Sequence, residues 1–134
     1  MANTTFSGPV RSENGFEQVS KNTTTGVFTT SATYNATITG GVQSLSGAGA
    51  VDLTNLVTEL TTTGANALTL ADGTTSGQVK IVNMIVDGGN GTLTPTTFAN
   101  GTNITFDAVA ESATLVWNST IGWVATSVQG ATIA

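Results

Sequence analysis

The sequence predicts an all-β protein: a single β-sandwich or jelly-roll-like barrel behind an extended N-terminal arm. Three observations lead there. Threonine makes up about a fifth of the 134 residues, and its β-branched side chain suits a pleated surface. Apolar and polar residues alternate with period two in several short stretches. Clusters of glycine, asparagine and aspartate separate those stretches at intervals of roughly 8–12 residues, the spacing of a sandwich or barrel. Residues 1–25 are assigned to the arm and 26–134 to one β domain, with regular strands from near Val27 to near Val128.

From Met1 to about Asn22 no period is sustained. Gly8, Pro9 and Gly15 punctuate the segment, and Phe6, Val10, Phe16 and Val19 are scattered through it. This predicts extended chain without a packed element. Alternation begins at "VFTTSATYNATI", where Phe28, Thr30, Ala32, Tyr34, Ala36 and Ile38 share one side. "GGVQSLSGAGA" reads as a glycine-rich loop. "VDLTNLVTEL" has Leu53, Leu56, Val57 and Leu60 at helical spacing with Asp52 as a possible cap, yet "LVTELTT" also alternates. Threonine disfavours the helix, so a strand is predicted. "TGAN" then turns into "ALTLA", with Leu68 and Leu70 inward, and "ADG" and "TSG" mark the next turn.

"QVKIVNMIV" is the most apolar run. Val79, Ile81 and Ile85 face one way; Val82, Met84 and Val86 face the other. A strand apolar on both faces is either central in its sheet or covered on one side by another subunit. "DGGNG" breaks it, and "TLTP", "NITFDA", "SATLVWN" and "GWVATSV" complete the set of short strands.

Charged residues are 8% of the chain, with a net charge of −5, against about 25% charged residues in ordinary soluble domains. Four of the charges, Arg11, Glu13, Glu17 and Lys21, sit in the arm. Beyond Lys21 the only basic residue is Lys80, facing six carboxylates, so nucleic acid would be repelled. No apolar run approaches a membrane span of about 20 residues. The opening "MANTTFSGPV" lacks the basic and apolar regions of a signal peptide, which predicts synthesis in a cytosol or release without Sec-type export.

The chemistry available is sparse. With no histidine and no cysteine, the commonest general base and the thiolate metal ligands are missing. Asp72 in "ADG" and Asp87 in "DGG" stand where turn chemistry favours aspartate. Glu59 and Asp107 read as charges on a strand face or strand end, and nothing marks Asp107 and Glu111 as an acid/base pair. "DGGNGTL" is close to calcium-binding glycine-rich repeats, but Leu93 stands where the next acidic residue belongs and the segment does not recur. No serine lies in a nucleophile elbow. Trp117 and Trp123 flank "NSTIG" and are predicted on the two strands of one hairpin, as core packing or as a sugar-stacking platform. The reading is a non-enzyme without metal, cofactor or small-molecule substrate.

The order of "ALTLADG", "GQVK", "DGGNGTLTP", "NGTNITFDA" and "TLVWN…GW", with the opening "MANTTFSGPVRSENGF", resembles small β-rich virion proteins of tailed bacteriophages, most nearly those of phages of marine bacteria and cyanobacteria. The resemblance implies a capsid decoration (cement) protein: a homotrimer on the head exterior, made in the host cytoplasm, with the major capsid protein as partner. The alternative is a tail or fibre module contacting host surface glycans through Trp117, Trp123 and Tyr34. On physical grounds the arm is the expected capsid-binding element. Phe6, Val10 and Phe16 would be apolar anchors and Pro9 would stiffen the chain. Arg11, Glu13, Glu17 and Lys21 would fix register. Val82, Met84 and Val86, with Ile104 and Phe106, are the candidates for the oligomer contact or the core beside it.

Overall fold

The computed structural model describes residues 16–21, 24–34 and 41–134. All of its regular structure is β, and no helix occurs among the described residues. The chain divides into two compact units, Met1–Ile38 and Thr39–Ala134.

In the first unit, β1 (Phe16–Lys21) pairs antiparallel with β2 (Phe28–Tyr34), from Phe16 opposite Tyr34 to Lys21 opposite Phe28, with an irregularity between Gln18 and Val19. This corrects the expectation of chain without a packed element up to Asn22. The segment carries no period-two signal because its two apolar residues, Phe16 and Val19, are three positions apart.

The second unit is built from three successive passes of the chain. β3 (Val42–Ser46) leads to β4 (Gly49–Val51), β5 (Val57–Thr61) to β6 (Asn66–Leu70), and β7 (Val79–Val86) to β8 (Gly91–Pro95). The first strand of each pass joins one sheet and the second joins the other. Within each sheet the successive passes are parallel: Val42 lies beside Val57 and Val57 beside Ile81, while Gly49 lies beside Leu68 and Leu68 beside Leu93. The remaining strands pair antiparallel with their neighbours. β9 (Ile104–Phe106) returns along β8, and β12 (Thr132–Ile133) along β9. β10 (Ser112–Asn118) pairs with β7, and β11 (Gly122–Gln129) with β10. Two mixed five-stranded sheets result, ordered β11-β10-β7-β5-β3 and β12-β9-β8-β6-β4. We call them the β7 sheet and the β8 sheet.

The two sheets form a sandwich and do not close into a barrel. Leu60, Val82, Met84 and Leu115 from one sheet meet Leu68, Leu70, Leu93, Ile104 and Phe106 from the other, and all are essentially buried. At about 25 cal/mol per Å² of apolar surface, each contributes roughly 1.5–3 kcal/mol. Leu68 and Leu70 point inward, as their alternation predicts. β7 is the middle strand of its sheet; Val82 and Met84 fill the core, while its second apolar side, Val79, Ile81 and Ile85, lies on the outward face of the sheet. The strand reading of "LVTELTT" holds in β5, and Asp52 caps a tight turn instead of a helix: its carboxylate accepts the N–H groups of Thr54 (3.0 Å) and Asn55 (2.8 Å).

"GGVQSLSGAGA" is not a loop. It holds β3 and β4, joined at Gly47, whose φ of 75° requires glycine. Its alternation is muted because Gln43 takes an inward position beside Leu45. That side chain is satisfied there. Its amide donates to the Ala50 carbonyl (2.8 Å), and its oxygen accepts from the Asp52 N–H (2.9 Å) and the Thr58 hydroxyl (2.8 Å).

Candidate functional site

Of the arm residues singled out, Phe6, Pro9, Val10, Arg11 and Glu13 lie outside the described residues. Phe16, Glu17 and Lys21 fall on β1, at register positions opposite Tyr34, Thr33 and Phe28. The second group divides. Val82, Met84, Ile104 and Phe106 are 0–1% exposed and belong to the sandwich core. Val86 is 46% exposed at the end of β7.

Three carboxylates of the second unit, Asp72, Asp87 and Glu111, serve local structure. Asp87 accepts the Gly89 N–H at 2.9 Å, closing its turn. Asp72 accepts the Thr97 hydroxyl at 3.1 Å. Glu111, largely buried, accepts the Asp107 N–H at 2.6 Å, so the two acidic residues are joined through main chain and not as a carboxyl pair. Among the described residues, no three acidic, histidine or cysteine side chains come together as a metal site.

One corner holds more electrostatic tension. Lys80, on the inward side of β7, is 1% exposed; its Nζ donates to the Asn55 carbonyl at 2.7 Å and lies 3.6 Å from Asp52 Oδ1. Burial lowers its pKa, and the Asp52 charge opposes that shift without cancelling it. For Asp52, burial by itself would raise the pKa. Hydrogen bonds from Asn55 and Thr54 and the Lys80 charge outweigh it, and the value is lowered below 3.8. The only cation of residues 41–134 is therefore internal, while Asp72, Asp87 and Asp107 are exposed.

Trp117 and Trp123 face each other directly across the β10–β11 hairpin, with ring centroids 5.4 Å apart and planes tilted by 59°. Trp123 is fully buried and its indole N–H donates to the Ala71 carbonyl at 2.9 Å. Trp117 is 8% exposed and packs against Gly73. The hairpin expectation holds and the pair is core packing; neither ring presents a face to a sugar.

What remains are the two outward sheet faces. On the β8 sheet the outward positions are Ala50, Ala67 and a set of threonines: Thr69 beside Thr94, and Thr92 beside Thr105 beside Thr132. On the β7 sheet, Val42, Val57 and Ile81 line up across β3, β5 and β7, and Val79, Val116 and Val124 across β7, β10 and β11. The two rows meet at β7, giving one aliphatic stripe that crosses all five strands. Val42 is 50% exposed and Val79 38%; the other four are half-buried. The next row is polar, with Ser44, Glu59, Asn83 and Ser112 in register. "QVKIVNMIV" marks Val79 and Ile81 as a second apolar side, but only strand register brings Val42, Val116 and Val124 to them.

No protein-family model matches the chain, and no curated protein matches it.

Proposed function

We propose that this chain is a structural protein of a virus particle: a decoration protein that binds the outer surface of a phage head, assembles as a homotrimer and reinforces the shell against internal pressure. The observation that carries the reading is the pair of broad, nearly uncharged outward faces, one threonine and alanine, the other crossed by an aliphatic stripe. Such faces suit a layer laid repeatedly against protein neighbours, where large weak contacts add up. The sequence resemblance to phage virion proteins points the same way. Asp52, Asp72, Asp87 and Glu111 are engaged in local hydrogen bonds or with Lys80, and no catalytic role is proposed. The rival reading, a fibre module stacking on host glycans, loses its main support because Trp117 and Trp123 are internal.

The head contact is assigned to the N-terminal segment, where Arg11, Glu13, Glu17 and Lys21 are concentrated. Charges at an interface fix register and suppress wrong docking. The experiment mixes purified protein with undecorated heads and counts bound copies by quantitative mass analysis. Hundreds of copies per head are expected for the full chain. Deleting residues 2–20 should abolish binding while leaving the body folded, and Arg11→Glu should weaken it. A truncated protein that coats heads as well as the full chain removes the arm from the contact. A full chain that binds no heads overturns the reading.

A further inference from the structure

We infer that the outward face of the β7 sheet is where copies of this chain meet, and that the aliphatic stripe from Val42 to Val124 is the centre of that contact. This deepens the self-association within the proposed function and does not depend on the phage head.

Three features of the face select a second copy as its occupant. The first is chemistry. The stripe consists of β-branched aliphatic side chains and carries no aromatic, arginine or charged group. Interfaces between copies of one chain are more apolar than contacts between non-obligate partners, which are about as polar as the rest of the surface. A flat row of valine and isoleucine is complementary to another such row, as in face-to-face sheet packing about 10 Å apart.

The second is charge. The chain carries −5, and the only cation of residues 41–134 is the buried Lys80. An acidic partner is repelled by the rim, and a basic one would find no carboxylate within the stripe. Two copies repel each other at long range, so what holds them must be a neutral patch, and the stripe is neutral. Glu59 lies in the neighbouring row, beside Ser44 and Asn83.

The third is area. Five strands at about 4.8 Å give a face about 24 Å wide, and six residues of strand add about 20 Å in length. That is about 500 Å² in plan and more in accessible surface, which approaches the roughly 800 Å² per partner of a stable interface. The stripe alone covers about half of it, so the polar row with Glu59 and Asn83 lies within the contact or at its rim.

Association through this face has a signature that charge-driven binding lacks. Added salt screens the mutual repulsion and leaves apolar burial intact. The full-length protein is examined by analytical ultracentrifugation at increasing concentration, from about 0.05 M to about 0.5 M NaCl. An oligomer is expected whose apparent Kd falls several-fold as salt rises. Ile81→Lys combined with Val116→Lys should give monomer, although it reduces the net negative charge. Thr94→Lys, on the other sheet, should leave the oligomer intact. Circular dichroism and the emission of the buried tryptophans check that the variants fold. Should the lysine pair fail that check, Val116→Thr with Val124→Thr keeps the β-branched shape and should raise the Kd at least tenfold. A wild-type chain that stays monomeric overturns the inference, as does an oligomer that weakens with salt or survives in the folded stripe variants. A monomer that still coats heads overturns this inference alone, and an oligomer that binds no heads overturns only the decoration role.

Discussion

At the scale of single residues, Lys80 and Asp52 show how unevenly one ion pair divides its energetics. Lys80 is 1% exposed, whereas Asp52 beside it is 31% exposed, borders solvent and holds several other hydrogen bonds. Removing the carboxylate leaves a buried cation facing only a carbonyl. Asp52→Asn should therefore destabilise by about 2–3 kcal/mol, below the full cost of orphaning a deeply buried charge because water reaches the site. Lys80→Met leaves Asp52 its amide donors and should change stability by no more than about 1 kcal/mol. Equal losses in urea melts of the two variants would contradict this account. The pH dependence follows from the signs. The Asp52 pKa is lowered by folding, so its contribution is full above 3.8 and is lost as pH falls through the lower folded value. The Lys80 pKa is also lowered, so the unfolded chain binds the extra proton between the folded value and 10.5, and stability rises with pH across that window. Urea melts on the acid side should show the wild-type decline below about pH 4 reduced in Asp52→Asn. Trp123→Ala empties the largest fully buried site and deletes the bond to Ala71, at a cost of about 3–5 kcal/mol by the same measurement.

At the scale of elements, the corners of the winding chain explain why glycine recurs between strands. The corner after β7 lies on the corner after β5: a Cβ on Gly89 would stand 2.7 Å from the Gly64 main chain, and the Gly89 φ is 138°. Gly89→Ala combines a main-chain clash with a forbidden backbone region, so a loss of about 2 kcal/mol or more is expected in thermal or urea unfolding. Gly26, also at positive φ but with open space around it, should tolerate alanine at a smaller cost, set by backbone strain alone. A milder loss at Gly89 than at Gly26 would show that the stacked corners can spread. Strand legibility follows side-chain size. β6, β7, β8 and β10 carry large inward residues and are plain in the sequence. β3 and β4 carry Gln43, Leu45, Gly49 and Val51 among serines and alanines, and β12 is two residues long. Weak contrast between faces removes the signal there, although the pairing itself is regular.

At the scale of the molecule, the division between Ile38 and Thr39 makes the second unit a candidate for independent folding, since both five-stranded sheets and the buried cluster seen among the described residues belong to it. A fragment of residues 39–134 should give a β-type circular dichroism spectrum and a cooperative melt in which the tryptophan emission shifts with the far-ultraviolet signal. Non-coincident transitions, or an unfolded fragment, would mean that the first unit is required for the core. The sandwich lacks disulfides and carries only one ion pair among the described residues. Its stability therefore rests on apolar burial and on satisfied polar groups; no buried side-chain polar atom of the described residues lacks a partner.

Composition and alternation by themselves determined the class of this protein. Threonine abundance, period-two stretches and regular turns permit little other than layered β-structure, and they place Leu68, Leu70 and the tryptophan hairpin correctly. They also exclude histidine- and thiolate-based chemistry, because the residue types are absent. Tertiary structure decided the rest. Alternation says which side a residue faces, not which strand lies beside it, so parallel passes such as Val42–Val57–Ile81 look the same in sequence as an antiparallel meander. Burial of Lys80 could not be read either, since a lone lysine in an apolar run is usually a solvated one; it became internal because Asn55 and Asp52 are folded over it from the preceding turn. The aliphatic stripe is the clearest case. Its six residues come from five strands spread between Val42 and Val124, each unremarkable alone, and only the register of the assembled sheet makes them one surface.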